Sequence, residues 1–267
     1  MTWDAVVVGG GAAGLSAALV LGRARRRTLV VDAGEPSNAR AHGVGGLLGR
    51  DLVPPGELYA AGRDEVAGYG VELRPGRVVR AAPGEVVLDD GARLESRALV
   101  LATGMHYGLP DVPGVAEHWG GRVFHCPFCH GWDVRDAPVV VLGEGEPARM
   151  KAALMRAWTD DVQVVATRDA TAVDEEAVVR RDGTRLPCAG VLVHAQLRPR
   201  DDLHEQLGLE LTDAGLVAVD RMGRTSVPGV FAVGDLAVAP QQVALAAASG
   251  ALAAAAIVHD LLLAGPA

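Results

Sequence analysis

The sequence predicts an α/β architecture made of two parallel-sheet modules in one chain. Three patterns carry that reading: an apolar strand that runs straight into a glycine-rich turn near the N-terminus, a second strand–turn–helix–strand unit from residue 139, and a composition rich in glycine but poor in rings. The 267 residues are 49% hydrophobic and 4% aromatic, with 34 glycines, which favours Ala/Val/Leu packing and tight turns. So much apolar content excludes a disordered chain. With 25 Lys plus Arg against 33 Asp plus Glu the formal charge is -8, so no nucleic-acid partner is expected.

The first module reads as a strand over 5–8, the turn Gly9-Gly-Gly-Ala-Ala-Gly14, a helix over about 15–24, and a strand over 28–31 that ends at Asp32. Gly9-x-Gly11-x-x-Gly14 therefore lies between strand and helix, and an acid follows 18 residues after the last glycine. That context points to dinucleotide binding. Gly9 permits the tight turn, Gly11 lets backbone amides approach a pyrophosphate, and Gly14 lets the helix lie against the sheet. Asp32 accepts from ribose hydroxyls and repels a 2'-phosphate, so FAD or NAD fits here and NADP does not.

The second module has a strand over 139–142, the turn Gly143-Glu-Gly-Glu-Pro-Ala148, a helix over about 149–158 and a strand over 162–166. Here Glu144 and Glu146 stand where a pyrophosphate would sit, and Pro147 removes an amide donor. Nicotinamide binding and a purely structural role both stay open. Between the modules, Ala102-Thr103-Gly104 and the Pro/Gly-rich 108–114 read as a crossover. Near the end, Ser226 to Asp235 reads as a turn, a strand and an acid that return to the first module, followed by an Ala-rich helix over 243–258. A membrane span needs about 20 strongly apolar residues, so a buried helix and no membrane partner are expected. No basic segment precedes the first apolar strand, so the cytoplasm is the expected compartment.

The chain has three cysteines, two of them in Cys126-Pro-Phe-Cys129-His130. That string matches the haem-attachment pattern, but haem attachment goes with export. Zinc could recruit His125, His130, His118 or Cys188, yet no second ligand pair of suitable spacing is present, and no metal site is expected. A reversible dithiol/disulfide is the favoured chemistry, because two intervening residues allow ring closure at a helix start, whose dipole favours a thiolate. A disulfide beside a dinucleotide module favours FAD over NAD, since a flavin exchanges two electrons with sulfur while a nicotinamide moves only hydride. His130 can carry the proton that thiolate chemistry needs. Cys188 reads as a structural thiol.

These residues, Gly9 to Gly14, Asp32, Ala102-Thr103-Gly104, Cys126 to Cys129 and Thr225 to Asp235, together resemble the low-molecular-weight thioredoxin reductase family of flavoproteins over nearly the whole chain. The resemblance implies two Rossmann-like, three-layer nucleotide-binding domains: a discontinuous FAD domain over 1–114 and 220–267, and an NAD(P)-binding-like domain over 115–219 that carries the dithiol. It implies a homodimer, and a large domain rotation between flavin reduction and dithiol exchange. Gly9, Gly11, Ala12, Ala13, Gly14, Asp32 and Ala33 would bind the ADP half of FAD, with Val78 near the adenine and Thr103-Gly104 lining the cofactor. Gly234 and Asp235 would hold the ribityl-phosphate region, and Gln242-Val243 would start the helix facing the flavin. Cys129 would be the thiol next to the flavin and Cys126 the one that exchanges with substrate.

Three departures from that family bear on function. His130 follows the second cysteine where typical members have Asp, and this C-x-x-C-H version resembles flavin-dependent dithiol oxidases of microbial natural products. Ala166-Thr167-Arg168-Asp169 stands where NADPH-dependent members present a His-Arg-Arg cluster, a weak clamp for a 2'-phosphate. The second domain is also shortened, with about 20 residues between that point and the strand over 190–195. The expected activity is FAD-dependent dithiol oxidation with O2 as acceptor. The partner is a dithiol or disulfide substrate, either a small molecule, a peptide or a thioredoxin-like protein. NADPH-dependent thioredoxin reduction, a ferredoxin-dependent reductase and a flavin-bound redox sensor are the alternatives.

Overall fold

In the computed structural model, which describes residues 2–263, the chain opens with β1 (Trp3–Val8), α1 (Ala12–Arg23) and β2 (Thr28–Asp32). β1 is apolar on both faces because it is covered on both, the pattern of a central parallel strand. α1 starts at Ala12 rather than Leu15, since Ala12-Ala13-Gly14 already form its first turn and Gly11 is the N-cap. There follow α2 (Pro55–Gly68), β3 (Glu72–Pro75), β4 (Val78–Ala82), β5 (Glu85–Leu88) and the nine-residue β6 (Arg93–Leu101). β7 (Met105–Gly108) leads out of this region.

Next come β8 (Val123–Phe124), α3 (Pro127–His130), β9 (Val139–Leu142), α4 (Gly145–Met155), β10 (Val162–Val165), β11 (Ala170–Val173), β12 (Ala177–Arg180), β13 (Arg185–Pro187) and β14 (Gly190–Val193). α4 includes Gly145 to Ala148, expected as loop, because Pro147 falls in the first turn where no amide has to donate. β15 (Gln196–Pro199), α5 (Leu203–Gln206), β16 (Val230–Ala232) and α6 (Val243–Leu263) complete the chain.

The fold divides into two units. The first is built from residues up to Ser37, from Gly56–His106, and from Arg198 onward; the second from Asn38–Pro55 and Tyr107–Leu197. The family resemblance implies a division at 114/115 and 219/220. Residues 107–114 pack with the second unit because Val112 and Val115 enter its core and the Val173 amide bonds the Pro113 carbonyl at 2.8 Å.

The sheet of the first unit runs β3-β2-β1-β6-β5-β4, with β16 also paired to β6. Pairing is parallel among β3, β2, β1, β6 and β16, and antiparallel through β4 and β5. α1 and α6 lie together in its core with Ala17, Ala18, Ala253, Ala254 and Ile257. A side chain at Gly250 would collide with the Ala13 carbonyl, so glycine sets how closely the two helices approach. α6 is long and apolar enough to cross a membrane by length and composition, but its Ala246, Gly250, Ala253, Ile257 and Leu261 are buried on this core. It continues past the expected end at Val258, because Asp260 is spent on Arg224 at 2.7 Å instead of stopping the helix. The second unit has a parallel sheet, β10-β9-β14-β8, and an antiparallel one, β11-β12-β13.

Candidate active site

Each unit presents one half of the chemistry. In the first, Gly9 follows β1 with φ +108°, a conformation that favours glycine, and a Cβ there would strike the Ala102 carbonyl. A side chain at Gly14 would strike the Gly9 carbonyl, whereas one at Gly11 would meet nothing within 4 Å. The turn is therefore tight on the sheet side and open on the other. No side chain caps α1, so its first amides keep their hydrogens for a ligand. Asp32 ends β2, and its Oδ1 accepts from the Gly10 and Gly34 amides at 3.1 Å each, which fixes the carboxylate beside the turn. Ala33 follows it, exposed.

Thr103 and Gly104 follow β6, which pairs directly with β1, and the Ala102 amide bonds the Val8 carbonyl at 2.8 Å. Gly234 sits after β16 against Ala13, and its amide donates to the Ser249 hydroxyl at 2.9 Å. Asp235 is next in the same short 3₁₀ turn. The Gln242 carbonyl accepts the Ala246 amide, placing Gln242 at the N-cap of α6 and Val243 at its first position. Val78 opens β4 as a buried side chain, two residues after Gly76, whose amide bonds the Asp32 carbonyl at 3.0 Å. An open glycine turn, uncapped amides and an anchored ribose acid converge at the carboxyl ends of β1, β2 and β6. These features fit the diphosphate and ribose of FAD.

In the second unit Cys126 and Cys129 form a disulfide with Cα atoms 5.4 Å apart. Cys126 caps α3, Pro127 occupies its first position, and the amides of Cys129 and His130 return to the Cys126 carbonyl at 3.2 and 3.3 Å. Pro127 is suited to that position, where an amide would have no partner. The segment Asn38–Pro55, closed on itself by the bridge of Val44 with Val53, covers this helix. Gly45 lies so close that a Cβ would collide with the Cys129 carbonyl, a contact invisible in the sequence.

His130 stacks on Phe124 with centroids 5.4 Å apart and planes 18° from parallel. Neither ring nitrogen has a hydrogen bond of ordinary geometry, although the Cys126 and Gly120 carbonyls lie near enough to favour the protonated ring. Burial outweighs them, together with the Asp133 charge, and holds the His130 pKa below its ordinary value. His130 is thus a neutral base at neutral pH. Phe128, between the cysteines, is 62% exposed and meets Trp158 edge-on at 5.5 Å.

The second unit's own glycine turn has a different chemistry. Glu144 binds Arg168 at 2.5 Å, and Glu146 binds Arg149 at 2.7 Å. Arg168 is the cation that the sequence offers for a 2'-phosphate, and its charge is already met. Cys188 is free and buried; burial pushes its thiol pKa up against the pull of the Arg122 guanidinium 3.1 Å away. Among the described residues no group of three or more His, Cys, Asp or Glu is arranged to hold a metal.

Two dinucleotide-type units, one with a phosphate-ready turn and the other with a C-x-x-C disulfide, define a flavin-dependent disulfide oxidoreductase. A family model for pyridine nucleotide-disulphide oxidoreductases matches residues 3–171 and 145–250. Thioredoxin reductase aclD of Aspergillus oryzae is 31% identical, covering 97% of this chain and 96% of its own length. Thioredoxin reductase sirT of Leptosphaeria maculans is 32% identical over 93% of this chain and 91% of its own. The crystal structure of HlmI matches with a TM-score of 0.92 at 38% identity, over 98% of this chain and 93% of that one. The chain belongs to the low-molecular-weight thioredoxin reductase family of pyridine nucleotide-disulphide oxidoreductases, which bind FAD and act on thiols and disulfides.

Proposed function

We propose that the protein is an FAD-dependent dithiol oxidase that passes electrons from a substrate dithiol to dioxygen. One observation carries the choice of direction: both acids of the Gly143–Ala148 turn are retained, and the nearby Arg168 is paired with Glu144. A dinucleotide phosphate entering that turn would meet Glu144 and Glu146 and would have to break the ion pair to gain its cation. The second unit is then a dithiol carrier and not a port for NADPH.

In this reading the substrate thiolate attacks Cys126 Sγ, breaking the sulfur–sulfur bond and releasing Cys129 as thiolate. The second substrate sulfur attacks the mixed disulfide, so the substrate leaves as a disulfide and Cys126 leaves as thiolate. His130, neutral because it is buried, takes the proton from the attacking thiol and, once protonated, stabilises the negative charge that builds on the leaving sulfur. Cys129 is the sulfur assigned to exchange with the flavin, as in the family pattern. Bound FAD supplies the two-electron acceptor that restores the disulfide, and dioxygen takes both electrons and two protons to leave as hydrogen peroxide. Phe128 and Trp158 give an apolar surface beside the sulfurs for the carbon skeleton of the substrate. A homodimer, in the cytoplasm, is the working assembly.

Anaerobic stopped-flow mixing tests the direction. Dithiol should bleach the flavin band within seconds while NADPH leaves it, and readmitted oxygen should yield one hydrogen peroxide per disulfide formed. Bleaching by NADPH on the same timescale would replace this reading with that of a conventional reductase.

A further inference from the structure

The parallel sheet of the second unit gathers basic side chains at its carboxyl edge. β9, β14 and β8 are neighbours in the order β9-β14-β8. His125 immediately follows β8, His194 immediately follows β14, and Lys151 lies on α4, which follows β9. This is the edge at which parallel α/β sheets receive ligands. The Lys151 Nζ donates to the His125 carbonyl at 2.5 Å, which brings the ammonium next to the residue that precedes Cys126. The His125 ring packs edge-on to Tyr107 at 5.0 Å and lies 6.1 Å from Trp119.

What the cluster lacks is an acid. Among the described residues, the charges that act on His125 are Lys151, His130 and His194, and the one that acts on His194 is Lys151; no carboxylate contributes. Lys151 itself is half-buried, its pKa lowered by burial, and forms no ion pair with a described acid. A half-buried ammonium without a counterion is costly unless a ligand supplies the charge. One of its three hydrogens is used on the His125 carbonyl, leaving two to donate. Elsewhere in the unit Arg168, Arg149 and Arg185 are met by acids, whereas Arg122, Arg135 and Arg181, like Lys151, bond backbone carbonyls.

We infer that Lys151, His125 and His194, walled by Tyr107 and Trp119, form a seat beside Cys126 for the carboxylate of an acidic dithiol substrate. The seat rests on the dithiol-oxidase reading and adds the substrate's charge to it. It is separate from the Gly143–Ala148 turn, where acids predominate. An anion on Lys151 would hold a substrate by one end while its sulfurs reach Cys126 Sγ, so the seat acts on binding and orientation and not on the bond changes.

Dihydrolipoate and dihydrolipoamide differ only in that one carries a carboxylate where the other carries an amide, which makes them a matched probe. With the FAD-loaded full chain, kcat/KM from oxygen consumption should favour dihydrolipoate by about tenfold, the worth of one charge-assisted hydrogen bond. Lys151→Gln should bring that ratio to about one, and Lys151→Arg should keep most of it. A wild-type ratio near one, or an unchanged ratio in Lys151→Gln, would overturn the inference; equal slowing with both dithiols would also do so, by making Lys151 a support for the disulfide alone. Calorimetric binding of oxidised lipoate and lipoamide gives a readout independent of turnover. If neither dithiol is oxidised, the oxidase reading fails, while a lipoate preference that disappears in Lys151→Gln still upholds the seat and no preference overturns it.

Discussion

The two units contain the same strand–turn–helix–strand device and use it in opposite ways. In the first, β1 leads into a glycine turn that is open on the side away from the sheet, with the Asp32 carboxylate anchored beside it by the Gly10 and Gly34 amides. In the second, β9 leads into a turn that carries two acids, each paired with an arginine beyond the turn, Glu144 with Arg168 and Glu146 with Arg149. Topology alone does not make a nucleotide site; the atoms facing the turn do. The second unit has instead placed its chemistry after β8, where the disulfide and its bases stand.

The comparison can be broken most severely at the glycines. Gly14→Ala should yield protein with almost no flavin, because the new methyl meets the Gly9 carbonyl, a backbone atom that cannot move aside. Gly143→Ala, where a methyl meets only the Ala148 Cβ at 3.4 Å, should retain its full yellow colour. Flavin content by absorbance per chain decides, and equal loss in both would erase the distinction between the turns.

The second unit's buried bases give it a pH response as well. Burial, aided by Lys151, His130 and His194, lowers the His125 pKa from 6.5 to about 4. Above 6.5 the ring is neutral whether folded or unfolded. As pH falls from 6.5 towards 4 only the unfolded chain takes up the proton, so stability declines, by at most about 3 kcal/mol, and the loss is complete below about 4. Urea unfolding at pH 7 and pH 4.5 should show a decline that shrinks in His125→Gln.

His130→Gln should lower kcat for dithiol oxidation by about 100-fold, the usual worth of a positioned base. The acid limb of the wild-type pH profile should lie below the ordinary histidine value, because burial lowers the His130 pKa, and should disappear in the variant. A smaller effect, about tenfold, is expected from Glu144→Gln with Glu146→Gln, which removes two negative charges from the second turn and frees Arg168. NADPH-driven flavin bleaching should accelerate in that double variant, and an unaltered rate would show that the acids are not what turns the nucleotide away.

How much of this was legible in the sequence follows from how local each feature is. β1, β2 and β9 stand out because they are buried on both faces and read as continuous apolar runs. The glycine turn, Asp32 and the C-x-x-C pair are short-range patterns whose chemistry depends on spacing alone. The start of α4 was hidden by Pro147, which reads as a breaker but serves as a first-turn residue. Gly45, Lys151 and His194 carried no local signal. Gly45 comes to Cys129 through a segment more than 70 residues earlier in the chain, and the basic cluster exists only because three separate strands end at one edge. Arg168 was visible as a cation but not as a paired one, since its partner Glu144 lies across the parallel pair β9 and β10.

The most direct measurement of the central claim, that a dithiol reduces the Cys126–Cys129 disulfide and the flavin receives its electrons through Cys129, compares two single-cysteine variants. Cys126→Ser, which keeps Cys129, should show a long-wavelength charge-transfer band between thiolate and oxidised flavin, bleached when Cys129 is alkylated; Cys129→Ser should show none, and both should lose dithiol oxidation. Identical flavin spectra in the two variants, or undiminished dithiol oxidation in either, would contradict it.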